Sequence, residues 1–347
     1  MRCAILRLFV ILLSLAALLP GQPKALFYMQ DSPAALRSFQ ANAAKIDIIV
    51  PTVYSVDGDG LVWGEPNPVV VDTARQAKVR LMPIIVNSAF NQNMMHALLA
   101  NPAARRRMIA SLVAECQKRA YYGIQFDFEN VSYLDRDALT KLVAEASAAL
   151  GEAGFKLSIA TVPSASDYPG RSDYSRWVFA NWRGAYDLKA IAPLVDFISL
   201  MTYDQHTRNT PPGPVAGLPW TELLLESAAK LAPKDKISLG IPLYGRRWYS
   251  AMRDKDPAVT VGTINTADAL DLASAMKVSP QWDEVEHAPW FYFYRDGMRE
   301  YVFYNDARAF RDRYELARRN GLHGISAWVL GLEDPQIWKE LPARPGN

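Results

Sequence analysis

Short apolar runs rich in β-branched residues recur eight times along this chain, and helix-like stretches separate most of them. The runs are Leu26–Met29, Ile46–Tyr54, Arg80–Val86, Gly123–Phe128, Lys156–Val162, Phe197–Tyr203, Ile237–Leu243 and Gly324–Val329. Ala103–Ala120, Asp135–Ala153, Trp220–Leu231 and Asp306–Asn320 are among the helix-like pieces between them. Strands divided by helices, with few hairpin signals, pair in parallel through βαβ crossovers. Eight such units in 347 residues fit an α/β fold of the (β/α)8 TIM-barrel type, for which about 250 residues is typical and insertions add more. An open doubly wound sheet normally carries a glycine-rich turn after its first strand, and Asp31-Ser32-Pro33 is not one.

Two segments depart from the repeat. Asp57–Pro68 has turn chemistry around a short apolar piece and reads as a hairpin-like loop. Trp248–Tyr304 is too long for a plain loop and holds two aromatic strands, Trp290–Tyr294 and Tyr301–Tyr304, around Arg295-Asp296-Gly297. It is expected to form a small β-containing insertion, about residues 249–304, after the seventh strand. No Ser/Gly-rich or Pro-rich linker divides the chain, so residues 26–342 are expected to form one domain.

The first 25 residues read as a secretory leader. Arg2 and Arg7 precede an apolar run from Leu8 to Leu19 that Pro20-Gly21 ends, too short for a bilayer span. Cleavage at Ala25 is one candidate and Ala16 to Gly21 offers others, so the mature chain is expected outside the cytoplasm, with no membrane span. An uncleaved anchor is the alternative. Losing Arg2, Arg7 and Lys24 takes the formal charge from +2 to −1, which leaves no electrostatic footprint for nucleic acid. Cys116 is then the one cysteine left, so no internal disulfide is available and the fold rests on its core. The four histidines show no ligand spacing, and neither a metal nor a cofactor is expected. Arg105-Arg106-Arg107 reads as a solvated helix face.

The chemistry concentrates at the end of the fourth strand, Tyr122-Gly123-Ile124-Gln125-Phe126-Asp127-Phe128-Glu129-Asn130. Strand alternation puts Gln125, Asp127 and Glu129 on one side and Ile124, Phe126 and Phe128 on the other. Polar groups facing a barrel lumen are costly unless bonded or functional, and barrel enzymes keep their chemistry at the C-terminal strand ends. Two crowded carboxylates raise each other's proton affinity, which is what a general acid requires. Read as residues alone, the pair could also be two exposed charges at the end of an ordinary strand.

This segment resembles the D-G-x-D-x-D-x-E signature of glycoside hydrolase family 18, the chitinase family. It is most similar to the branch of cortex-lytic spore germination N-acetylglucosaminidases, which carries an amide at the first lumen position and ends in F-E-N. Phe197–His206 resembles the family's sixth strand, Leu239–Trp248 its seventh, Gly324–Leu332 its eighth, and Tyr301–Asp306 a late run of that branch. The resemblance implies that Glu129 is the general acid and base, and that Asp127 holds the substrate's N-acetyl group, which acts as the nucleophile. Tyr203 would bond the same acetamide, Met201 and Asp204 would surround the sugar, and Trp328 would floor it. Tyr54, Asn87 and Tyr244, at the ends of strands two, three and seven, are further cleft candidates. For Trp63, Trp220, Trp248 and Trp290, in loops after strands, core packing or loop anchoring is the first expectation and a place in the cleft the second.

One position departs from the chitinase pattern: the inner Asp is Gln125, and the leading Asp is Tyr122. An amide can hydrogen-bond Asp127 but cannot trade a proton with it as a carboxylate does. Activity is expected to survive with an altered rate or pH profile. The resulting expectation is a secreted, monomeric glycosidase acting on N-acetylglucosamine-containing glycans, with peptidoglycan ahead of chitin oligomers and the chitobiose core. Two other classes stay open: a chitinase-like carbohydrate-binding protein without catalysis, and an envelope scaffold.

Overall fold

A computed structural model describes residues 22–249 and 261–344. Eight parallel strands form its centre: β1 Lys24–Met29, β2 Ile48–Val56, β3 Ile84–Asn87, β4 Gly123–Asp127, β5 Lys156–Thr161, β6 Phe197–Leu200, β7 Ile237–Pro242 and β8 Gly324–Trp328. Neighbours in sequence are neighbours in the sheet. The pairing of β1 with both β8 (Leu26 opposite Ser326) and β2 (Leu26 opposite Ile48) closes it into a barrel. The expected α/β barrel is therefore the observed fold, and helices Pro102–Arg119, Arg136–Glu152, Leu218–Ala229 and Ala307–Arg319 lie where the helical periodicity put them.

Strand alternation sorts the core. Ile124, Phe126 and Phe128 of the β4 segment join Leu112, Cys116, Leu139 and Leu142 in the layer between barrel and helices, and Cys116 is fully buried there. Inside the lumen, Leu26, Ile48, Val50, Met82, Ile84 and Phe197 pack as a second cluster. Beside it lies a polar layer. Gln125 Nε2 donates to Ser158 Oγ (2.8 Å) and Ser199 Oγ (3.1 Å), Ser199 bonds Ser326 (2.8 Å), and Ser326 bonds Ser238 (2.7 Å). Small hydroxyls from β5 to β8 thus satisfy one another across the lumen, leaving room above them for a cleft.

The insertion after β7 is a five-stranded antiparallel sheet, ordered Val261–Ile264, Gly245–Trp248, Met298–Phe303, Ala288–Arg295, Gln281–Asp283, with helix Thr266–Ala275 against it. It begins at Gly245, slightly earlier than expected, and residues 250–260 of the expected segment lie outside the described residues. The hairpin-like loop is present as Val62–Trp63 pairing back on Ser55 and Val56.

Two details differ from expectation. Lys24 and Ala25, counted with the leader, are the first residues of β1 and pair with Gly324 and Ile325; the rest of the leader up to Gly21 lies outside the described residues. Arg105 is buried rather than solvated, since its guanidinium meets Glu145 (2.7 and 3.0 Å). No helix among the described residues is long and apolar enough to cross a membrane.

Candidate active site

A cleft of about 480 Å³ opens at the C-terminal ends of the barrel strands, and Asp127, Glu129, Met201, Tyr203, Asp204, Tyr244 and Trp328 all line it. They come from the ends of β4, β6, β7 and β8, the position at which barrel enzymes build their sites. Asp127 is 7% exposed, and its Oδ1 has no hydrogen-bond partner among the described residues. Burial raises its proton affinity toward neutrality. Burial also raises that of Glu129, and the charges of Asp127 and Asp204 add to the effect. A carboxyl group that keeps its proton near neutral pH can donate it to a leaving oxygen.

The backbone around Glu129 is held from two sides. Asn87 at the end of β3 donates from Nδ2 to the Glu129 carbonyl oxygen (2.9 Å) and accepts from its N–H at Oδ1 (3.0 Å). The Tyr186 hydroxyl donates to the Phe128 carbonyl oxygen (2.6 Å). Asn87 therefore belongs to the site as a buried brace and does not itself line the cleft. Gln125 lies fully buried beneath, and its amide is bonded to the serine layer described above rather than to Asp127.

Tyr203 reaches the cleft because Gly240 of β7 leaves space for it. A Cβ at Gly240 would stand 3.0 Å from the Tyr203 ring and 2.5 Å from the Leu200 carbonyl oxygen. Burial keeps the Tyr203 hydroxyl protonated far above neutral pH, so it is a donor. Asp204 has a left-handed backbone (φ 61°), and its carboxylate accepts from the Tyr244 hydroxyl (2.5 Å) and from Arg246 of the insertion (2.5 Å). That pairing ties the insertion to the rim of the cleft.

Tyr54, like Asn87, does not line the cleft. Strict alternation along β2 would turn it inward with Ile48 and Val50, but the register slips between Thr52 and Tyr54. Such a bulge exchanges the two faces of a strand. Tyr54 consequently points out into the helix layer, where its hydroxyl bonds Glu115 (2.8 Å) and Tyr121 (3.0 Å). Of the four tryptophans considered for the cleft, Trp220 lines it. Trp248 is buried in the insertion, Trp290 stacks on Phe303, and Trp63 is exposed on the hairpin.

The structure adds residues that strand-end reasoning overlooked. Tyr28 of β1 lines the floor. After β5, helix Asp173–Val178 runs into a π-helical turn, Phe179–Arg183, and this piece sends Tyr174, Trp177, Trp182 and Arg183 to the cleft wall, while Arg208 follows β6. The signal available in the sequence was the aromatic spacing Tyr174, Trp177, Trp182 within a polar loop.

Comparison with known proteins gives the family and agrees with the fold. Residues 37–333 match the family described as "Glycosyl hydrolases family 18". The chain is 27% identical over 333 residues to a cortical fragment-lytic enzyme of Bacillus cereus, covering 92% of this chain and 74% of that protein. It is 31% identical over 267 residues to the enzyme of the same name from Bacillus subtilis (strain 168), covering 74% of this chain and 58% of that one. It therefore spans little more than half the length of the second relative. Among solved structures, a chitinase from Chromobacterium violaceum ATCC 12472 superposes with a TM-score of 0.81 at 26% identity, covering 92% of this chain and 97% of that one. By fold, cleft and family match, this chain belongs to glycosyl hydrolase family 18, close to the cortex-lytic glycosylases of Bacillus.

Proposed function

We propose that this chain is a secreted, retaining glycosidase that cleaves β-1,4 linkages at N-acetylglucosamine-type sugars, and that glycans of the peptidoglycan class are its substrate. The observation that carries the reading is the pair Asp127 and Glu129 on one lumen face, both raised toward neutrality, in a cleft that also holds Trp328. The relatives' name, cortical fragment-lytic enzyme, supports the choice of cell-wall glycan over chitin.

In this mechanism the sugar to be cleaved lies on the Trp328 indole with its acetamido group toward Asp127 and Tyr203. Glu129 donates its proton to the glycosidic oxygen as that bond breaks. The acetamido oxygen forms the new bond to the anomeric carbon, and the resulting positive charge lies beside the Asp127 carboxylate, which accepts the amide N–H. Tyr203 orients the same group. Glu129, now ionised, takes a proton from water, and that water opens the ring intermediate from the face the leaving group vacated, so configuration is retained. Substrate-assisted hydrolysis of this kind departs from the usual two-carboxylate scheme. Asp204, held by Tyr244 and Arg246, keeps negative charge near Glu129 and favours its protonated form.

The test is product release from purified peptidoglycan and from chitooligosaccharides, wild type against Glu129→Gln, with the anomer of the first product read by NMR. A loss of at least about a hundredfold in the variant, within what general acid–base catalysis supplies, together with a β-anomer product, supports the reading. Absence of turnover by wild type from pH 4 to 8 sinks it.

A further inference from the structure

Arg183 and Arg208 stand on the wall of the cleft that holds Asp127 and Glu129. Both are exposed, and neither has an ion pair or side-chain hydrogen bond among the described residues. Other arginines near this rim are engaged: Arg136 by Asp167 and Asp187, Arg176 by Asp173, Arg246 by Asp204. The charge of the cleft is thus divided, with carboxylates at the barrel end and two free guanidinium groups on the wall built by the loops after β5 and β6. A wholly neutral glycan would offer those groups hydroxyls and acetamido carbonyl oxygens, but no negative charge. A carboxylate offers the planar, two-oxygen partner a guanidinium fork matches best.

The same wall has flat aromatic surface. Trp182 immediately precedes Arg183 in the π-helical turn, a distortion frequent at functional sites. Trp177 and Tyr174 stack on each other at 6.3 Å and remain largely exposed. Ring faces for sugar and free cations for an anion therefore occupy one surface.

We infer that Arg183 and Arg208 make this cleft selective for acidic N-acetylated glycans, by binding a carboxylate carried on the sugar next to the one that is cleaved. This rests on the glycosidase reading for its placement of the sugar, and it names the feature that separates the substrate from chitin. The carboxylate has two possible sources with one chemistry, a lactyl ether on the ring or an acidic group of an attached peptide.

The experiment uses the full chain carrying Glu129→Gln, which blocks turnover, and measures binding by calorimetry to three probes. They are chitotetraose, a tetrasaccharide of alternating N-acetylglucosamine and N-acetylmuramic acid with free lactyl groups, and the same tetrasaccharide bearing peptides. The expected result is tighter binding of an acidic probe than of chitotetraose by about tenfold, shrinking in 0.5 M salt as screening requires. Arg183→Gln or Arg208→Gln, added singly, should each cut the acidic-to-neutral ratio by about three- to fivefold, the scale of one partly exposed charge pair, and the double substitution should abolish it. A preference limited to the peptide-bearing probe assigns the carboxylate to the peptide; a preference already present without peptide assigns it to the lactyl group. A ratio near one, a ratio that both substitutions leave unaltered, or no binding of any probe by a protein that still melts cooperatively overturns the inference. Turnover by wild type is measured separately. Hydrolysis of both glycan classes with a ratio indifferent to the arginines removes the inference and leaves the glycosidase reading. Arginine-dependent binding without hydrolysis by wild type does the reverse.

Discussion

Asn87 and Glu129 form a closed two-point contact in which one side-chain amide satisfies both the N–H and the carbonyl of the other residue's backbone, at 3.0 and 2.9 Å. The contact joins the end of β3 to the end of β4 and sets the height at which the Glu129 carboxyl group enters the cleft. Asn87→Ala should leave both backbone groups without that partner, at a cost of about 1–3 kcal/mol in stability. It should also lower kcat by about tenfold or more through misplacement of the acid, with KM and the pH profile little altered. A KM effect as large as the kcat effect would show that Asn87 binds substrate instead.

The proton affinities of Asp127 and Glu129 are raised by burial, so the folded protein holds protons that the unfolded chain releases. For such groups the contribution to stability is fully present below the unfolded carboxylate range near about pH 4, and it is lost as pH climbs toward neutrality. Glu129→Gln cannot ionise. Its melting temperature should therefore rise relative to wild type as pH increases from 4 to 8. Parallel melting curves for the two proteins across that range would contradict the raised affinity.

Asp204 raises the Glu129 proton affinity by its charge, and its own carboxylate is shared by Tyr244 and Arg246. Asp204→Asn removes that charge and leaves Arg246 uncompensated, and both changes favour the ionised form of Glu129. The alkaline limb of kcat/KM should move to lower pH. A limb that stays in place while activity falls would assign Asp204 a purely structural part.

Trp177 is 53% exposed and stacks on Tyr174 at the cleft wall, so removing it costs the fold little. Trp177→Ala should weaken binding of glycans long enough to reach that wall by about 1–3 kcal/mol, the value of one lost ring stack and its buried area. Disaccharide-sized substrates should be affected far less. Equal losses for short and long substrates would place the indole at the point of cleavage.

Arg313 is buried with no carboxylate at hydrogen-bonding distance among the described residues, and it donates to the carbonyl oxygens of Ala216, His287 and Ala309. It thereby fastens helix Ala307–Arg319 to the turn before Leu218 and to the insertion. Burial lowers its pKa to about 10. Arg313→Ala should cost about 3–5 kcal/mol, because several buried acceptors lose their donor together. Urea unfolding monitored by tryptophan fluorescence checks this.

The barrel was legible from local pattern. Eight apolar runs and the helical stretches between them specify strands and helices by their periods, and parallel closure follows from the spacing. Period-2 alternation was enough to put Gln125, Asp127 and Glu129 in the lumen and Ile124, Phe126 and Phe128 outside. What it could not convey was any contact that depends on register or on distant segments. A one-residue slip in β2 turned Tyr54 outward. Asn87 became a brace because the ends of β3 and β4 lie level, and Gln125 met serines from two other strands instead of Asp127. Arg183 and Arg208 share a wall only because the loops after β5 and β6 fold over the same mouth. Secondary structure and face are local properties that neighbouring residues encode together. The company a side chain keeps across a barrel is decided by strand register and loop packing, which no single stretch of chain contains.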